Sequence, residues 1–155
     1  MIKTHKPTLD ELWFRENLLA DVNTMSYNAA WGGTIPFPKE NWAKWYDTWL
    51  GGSEYRHYYR YLYDTDSRSF VGEIAYRYDD SREIHICDVI VSAKHRNRGF
   101  GTIGIRLLCE AAKDNGIKTL YDDIAADNPS YTLFLKNGFM IEFQNDEVIM
   151  VRKEL

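Results

Sequence analysis

The chain has 155 residues, 45% hydrophobic and 27% charged, which is enough for one compact domain (residues 1–155) and too little for two ordinary ones. A domain of this size buries roughly 68 to 70% of the surface its unfolded chain exposes, so neither a disulfide scaffold nor a structural metal is needed. A net charge of −4 argues against nucleic acid as a partner, and the absence of any apolar stretch of signal-peptide or membrane-span length leads us to expect a cytoplasmic protein with no membrane partner.

The two cysteines, Cys87 and Cys109, lie in apolar runs and read as small buried groups suited to a reducing compartment. Aromatic residues reach 15% and concentrate between Trp13 and Tyr78. That region must pack heavily or line a pocket.

In chain order, Thr8 and Glu11 have the spacing of a capping box, and a helix from about Leu9 to Asp21 follows, with Leu9, Leu12, Trp13 and Leu19 largely on one side. The run from Trp31 to Pro38 holds two glycines and two prolines and is expected to be an aromatic loop. Trp42, Trp45, Tyr46 and Trp49 recur at helical spacing, read more readily as core than as pocket, and stop at Gly51. From Tyr55 the period changes: Tyr55 to Tyr63, Phe70 to Tyr78 and Ile84 to Val91 read as an antiparallel meander. A helix over Thr102 to Asn115 ends at Gly116, a strand follows over Ile117 to Ala126, and a short helix covers Ser130 to Lys136. Phe139 to Phe143 then pairs with Val148 to Val151 across a polar turn. This order describes a mixed α/β sheet with helices on both faces.

The segment from Val89 to Gly104 is a strand, a basic loop and a glycine-rich entry into a helix. Free amides and the dipole at a helix start favour an anion, glycines admit phosphate oxygens to the main chain, and Lys94, Arg96 and Arg98 add charge. Gly99, Gly101 and Gly104 fit the dinucleotide fingerprint literally, with Asp122 and Asp123 near the offset of a ribose-binding acid. The long basic connection before Gly99 and the preceding antiparallel meander argue against that reading.

The segment instead resembles the GNAT N-acetyltransferase superfamily, whose motif is Val-x-Pro-x-Tyr-Arg-x-x-Gly-x-Gly. Here Val91, Arg96, Gly99 and Gly101 keep the spacing, while Ala93 and His95 replace the proline and tyrosine. A second family element, an Asn before a short helix and Gly-Phe, is similar to Asn128 through Gly138 and Phe139. The resemblance implies a GNAT-like twisted mixed sheet and transfer of an acetyl group from acetyl-CoA to a primary amine by direct attack on the thioester, without a metal. It also implies that Arg96, Asn97, Arg98, Gly99, Phe100, Gly101 and Thr102 hold the pyrophosphate, that Val89, Ile90 and Val91 pair with the pantetheine arm as an added strand, and that Asn128 and Phe134 contact it.

In the strand from Ile84 to Val91, Ile84 and Ile86 share one period-2 phase and Val89 and Val91 the other. A bulge near Cys87 and Asp88 would reconcile them and leave an N–H for an oxyanion; a strand buried on both faces needs no bulge. His85, at a position similar to the family's catalytic glutamate, is the first candidate for the base, with Glu73 and Asp88 as alternatives. Where the family carries a tyrosine acid this chain has Phe134, so Tyr131, a turn earlier, becomes the candidate acid. Tyr27, Asn28 and Trp31, with Glu73, Asp88, Asp122 and Asp123, are candidates for an acceptor pocket suited to a cationic small molecule, polyamine- or aminoglycoside-like. A peptide N-terminus as acceptor, a CoA-binding regulator without chemistry, and assembly as a homodimer are compatible with the same residues.

Overall fold

The structure is a computed structural model describing residues 1–155. Its seven strands are β1 (Ile2–His5), β2 (His57–Asp64), β3 (Ser69–Asp79), β4 (Ile84–Val91), β5 (Thr119–Ala125), β6 (Met140–Gln144) and β7 (Val148–Glu154). They form one sheet in the order β1-β2-β3-β4-β5-β7-β6. Every neighbouring pair is antiparallel except β4 and β5, so the sheet is mixed, as expected. The helices are α1 (Trp13–Ala20), α2 (Trp42–Leu50), α3 (Phe100–Asp114) and α4 (Tyr131–Lys136).

β1 is absent from the sequence reading because four residues give too short a run for period-2 alternation; its place is set by pairing, Lys3 opposite Tyr63 and His5 opposite Tyr61. The first helix also differs from expectation. Glu11 accepts the Thr8 N–H at 2.9 Å, but Leu9–Leu12 forms a tighter 3₁₀ turn and the α-helix begins only at Trp13. A tighter turn advances the helical phase, so Leu12, Phe14, Leu18 and Leu19 are buried while Leu9 and Trp13 face outward.

Helices cover both faces of the sheet. On one, α3 and α4 bury Ile105, Leu108 and Phe134 against Leu62, Ile74, Tyr76 and Cys87. On the other, Leu12 and Leu19, with Trp42 and Leu50 of α2, pack on Tyr59, Tyr61, Ala75 and Ile90. Cys87 is buried and its thiol is pushed well up by burial, with Asp122 adding to the shift, so it is an apolar core group as expected.

The alternation of β4 therefore needs no bulge. Its register with β3 is unbroken from Gly72 opposite Val91 to Asp79 opposite Ile84, which decides between the two alternatives in favour of the strand buried on both faces. Cys87 and Val89 serve one core and Ile90 the other, so both phases are apolar.

What does change along β4 is its other edge. It pairs with β5 only through His85 with Leu120 and Ile86 with Tyr121, while β5 stays in register with β7 along its whole length. Past Ile86 the two strands part, and the edge of β4 that faces β5 is left without a ladder partner. Glycines bring α3 close against this opening: a Cβ on Gly104 would lie 3.1 Å from Leu62, 3.2 Å from Ile74 and 3.3 Å from Val89.

Candidate active site

The opening between β4 and β5 is continuous with a cleft of about 1060 Å³. That exceeds what one compact ligand needs and leaves room for a long cofactor arm together with an acceptor. Val89, Ile90 and Val91 line it on one side, and Ile124, Asn128 and Phe134 on the other.

At one end stands the basic loop. His95, Arg96, Asn97, Gly99, Phe100, Gly101 and Thr102 line the cleft there. Asn97 and Gly99 both adopt positive φ, 63° and 80°, which turns successive amides outward before α3 begins. Backbone bonding resumes only with the Ile103 N–H, which donates to the Gly99 carbonyl at 3.2 Å. The amides from Asn97 to Thr102 therefore converge on the cleft without protein acceptors, at the positive end of a 15-residue helix. A Cβ on Gly99 would meet nothing within 4 Å, so the space in front of it is open. These groups fit a diphosphate.

The side chains of the loop behave less uniformly than the motif implies. Arg96 does not point into the crevice with its fork; its Nη1 and Nη2 donate to the carbonyls of Asn23 and Thr24 at 3.3 and 2.5 Å. Arg98 lies over the Phe100 ring at 4.9 Å. Asn128 is buried and its Oδ1 accepts the Ser130 N–H at 3.0 Å, which fixes the amide at the entrance to α4.

On the acceptor side, the turn Thr24–Trp31 brings Tyr27, Asn28 and Trp31 to the cleft as expected. Trp42 is buried core, while Trp45 and Trp49, half-buried, pack against the same core through Tyr59 and also line the cleft, so the stripe serves both core and pocket.

Asp88 and Asp122 reach this cleft from the two strands that part. Asp88 is accessible through the cleft mouth, yet surrounding protein strips enough water from its carboxyl to raise its pKa to about 7; Glu73 raises it further and Arg15 opposes the shift. Asp122 is likewise held well above the usual carboxylate range by burial, then by Asp88 and Asp123. The Tyr27 hydroxyl is pushed up by burial and by Asp88, Glu73 and Asp122, so it stays protonated beside the two acids.

Glu73 is differently employed. Arg15 Nη1 donates to both of its oxygens at 3.0 Å and the Tyr59 hydroxyl donates to Oε2, while the Arg15 guanidinium lies over the Trp45 ring at 4.5 Å. Its lone pairs face protein donors, leaving it a buried counter-charge where a base or acceptor contact was expected. Asp123 is paired with Arg82 at 2.9 Å. Arg15 itself is missing from the sequence reading: it lies 58 residues from Glu73, and a lone arginine on a helix carries no local signal.

The structure places two further candidates elsewhere. His85 points to the α3 face at the far end of β4, its Nε2 2.7 Å from the Tyr55 carbonyl and its ring among Tyr55, Tyr76 and Tyr78, outside the cleft. Asp88, on the same strand, lines the cleft that His85 does not reach. Tyr131 packs against the α3 core, while Leu133 and Phe134 are the residues of α4 that reach the cleft.

The sequence profile of the Acetyltransferase (GNAT) family matches residues 19–139. This chain belongs to the GNAT acetyltransferase family. With that membership goes acetyl-CoA as the acyl donor, and the amide cradle and the open edge of β4 are the features of this GNAT chain that fit it.

Solved structures show the same fold. A spermidine N-acetyltransferase from Vibrio cholerae, in complex with CoA and spermine, superimposes with a TM-score of 0.78 at 18% identity, over 99% of this chain and 95% of that one. The PaiA N-acetyltransferase from Thermoplasma acidophilum, in complex with coenzyme A, gives 0.69 at 14% identity over 100% and 99%. The GNAT domain of an S. lividans protein gives 0.78 at 12% identity, over 99% and 89%. No curated protein matches the sequence. No helix is long and apolar enough to cross a membrane.

Proposed function

We propose that this GNAT acetyltransferase acetylates the primary amine of a small cationic acceptor, with the whole chain working as one catalytic unit. The observation that carries the reading is Asp88, an accessible carboxyl of raised pKa lining the cleft that Tyr27, Trp31 and Trp45 also line, with Asp122 reaching the same cleft from the strand that parts from β4. Aromatic faces and carboxylates together suit an ammonium group.

Acetyl-CoA supplies an activated acyl carbonyl, and the unpaired edge of β4 at Val89 and Val91 offers N–H and C=O groups to align its arm as if it were a further strand. Asp88 takes a proton from the bound ammonium, freeing the nitrogen lone pair. That lone pair forms the new N–C bond as the C–S bond breaks, and its electron pair leaves on sulfur. No tyrosine of α4 lines the cleft to protonate that sulfur: Phe134 does, and the half-buried Tyr131 packs against the α3 core. Sulfur leaves as thiolate and takes up the remaining extra proton of the acylated nitrogen, giving the neutral amide and the CoA thiol, while Asp88 returns its proton to water.

Two measurements test this together. CoA should raise the melting temperature, and a thiol-release screen over amines, beginning with polyamines and aminoglycosides, should find turnover. Stabilisation by CoA with no turnover of any amine, peptide N-termini included, would favour a regulator that binds CoA without chemistry. No stabilisation would remove the reading altogether.

A further inference from the structure

Arg96 occupies the motif position at which a phosphate contact is expected, yet its hydrogen bonds lead away from the crevice. Nη2 donates to the Thr24 carbonyl at 2.5 Å and Nη1 to the Asn23 carbonyl at 3.3 Å. Three residues before Arg96, the Ala93 N–H donates to Thr24 Oγ1 at 3.0 Å, and Thr24 in turn donates its hydroxyl to Asp21. Thr24 is fully buried. The loop that frames the phosphate site is thus fastened, through side chain and main chain, to the first residues of the turn Thr24–Trp31.

That turn carries Tyr27, Asn28 and Trp31 into the acceptor side of the cleft. Its other end is held by Asn28 Nδ2, which donates to the Gly33 carbonyl at 2.9 Å. Between these points the wall has no sheet ladder to fix it. Met25 anchors the turn in the core, and its tie to the phosphate loop runs through Thr24, Asn23, Ala93 and Arg96.

We propose that Arg96 is a positioning residue for the acceptor site: it couples occupation of the CoA loop to the placement of Tyr27 and Trp31, and contributes little to phosphate affinity. Two structural features separate the roles. A guanidinium fork spent on two successive carbonyls is not free to grip a diphosphate in the bidentate manner that makes arginine effective there. The amides from Asn97 to Thr102, by contrast, carry no protein acceptors. Coupling of this kind is reciprocal, so a bound acceptor also tightens CoA.

The inference rests on acetyl-CoA binding, so the test reads both regions of the chain in one experiment. Backbone hydrogen exchange is followed with and without saturating CoA in the wild type, Arg96→Gln and Arg96→Lys. In the wild type CoA should slow exchange over residues 97–104 and also over residues 23–31. In Arg96→Gln the first protection should persist, with the CoA Kd within about threefold of wild type, and the second should vanish. KM for whichever amine turns over should rise, by roughly 5- to 150-fold if the coupling is of ordinary size.

Arg96→Lys keeps the charge but not the planar fork, so it should behave like Arg96→Gln; it also serves if that variant is poorly folded, which the exchange of β2 and β3 would reveal. A CoA affinity lost in Arg96→Gln and restored in Arg96→Lys would make Arg96 a phosphate ligand and overturn the proposal. Protection of 23–31 that survives both substitutions would overturn it equally. If CoA protects neither region of the wild type, the acetyl-CoA reading fails and takes this inference with it.

Discussion

At the residue scale, the proposed mechanism gives the base to Asp88, which lines the cleft, in place of His85, which lies outside it. The expected consequence of Asp88→Asn is a fall in kcat/KM of about 10²- to 10⁴-fold, the ordinary worth of a positioned base. Because its pKa is raised to about 7, Asp88 is protonated below neutrality, so kcat/KM should climb as pH rises through 7 and that limb should be missing in Asp88→Asn. The same shift has a stability sign. The folded state holds a proton that the unfolded carboxyl releases above about 4, so folding stability contributed by this group declines between roughly pH 4 and 7. Urea unfolding across that range should show a shallower decline in Asp88→Asn. His85→Ala should leave kcat/KM and its pH profile unchanged while lowering stability by about 2 kcal/mol, because a ring buried among tyrosines is lost. A changed profile in His85→Ala would move the base back to His85.

Glu73 completes the residue scale. Removing its charge leaves Arg15 facing Trp45, Phe37 and Tyr59 without a counter-ion. Glu73→Gln should therefore cost about 3 to 5 kcal/mol in chemical denaturation, the range for breaking a buried pair. The sequence pointed to Glu73 as an acid near the site but not to its partners, since Tyr59 and Arg15 are brought to it by sheet pairing and helix packing.

At the scale of elements, legibility follows locality. The diphosphate cradle could be read because everything it needs lies within a few residues: a strand, a basic turn, glycines at the helix entry. Gly99 is the position where that reading can be tested by substitution. A valine there must hold φ near 80°, a left-handed conformation that costs about 1 to 2 kcal/mol, so Gly99→Val should lower stability by that amount and raise KM for acetyl-CoA in steady-state assays. β1 and the parting of β4 from β5 could not be read in the same way. The first is too short to show a period, and the second is decided by β5 following β7 through its whole length. A period-2 pattern reports which faces are buried and says nothing about which edge is paired, which is why a bulge and a doubly covered strand looked alike.

At the scale of the whole molecule, the two cores lie on opposite faces of a sheet whose strands β1 to β4 and β5 to β7 are paired along most of their length within each group, with one register shift in each. Only the pairs at His85 and Ile86 join one group to the other. The hydrogen-bonded fabric is therefore sewn across its middle by a seam of two stitches, with α3 lying over it. Stretched by its ends, or nicked by a protease in the segment after α3, the molecule should come apart along that line before either flank unravels. A bound pantetheine arm would add rungs beside those two stitches, so the same molecule that brings the acetyl group should also act as a splint, and single-molecule pulling with and without CoA should show the force at this first rupture rising.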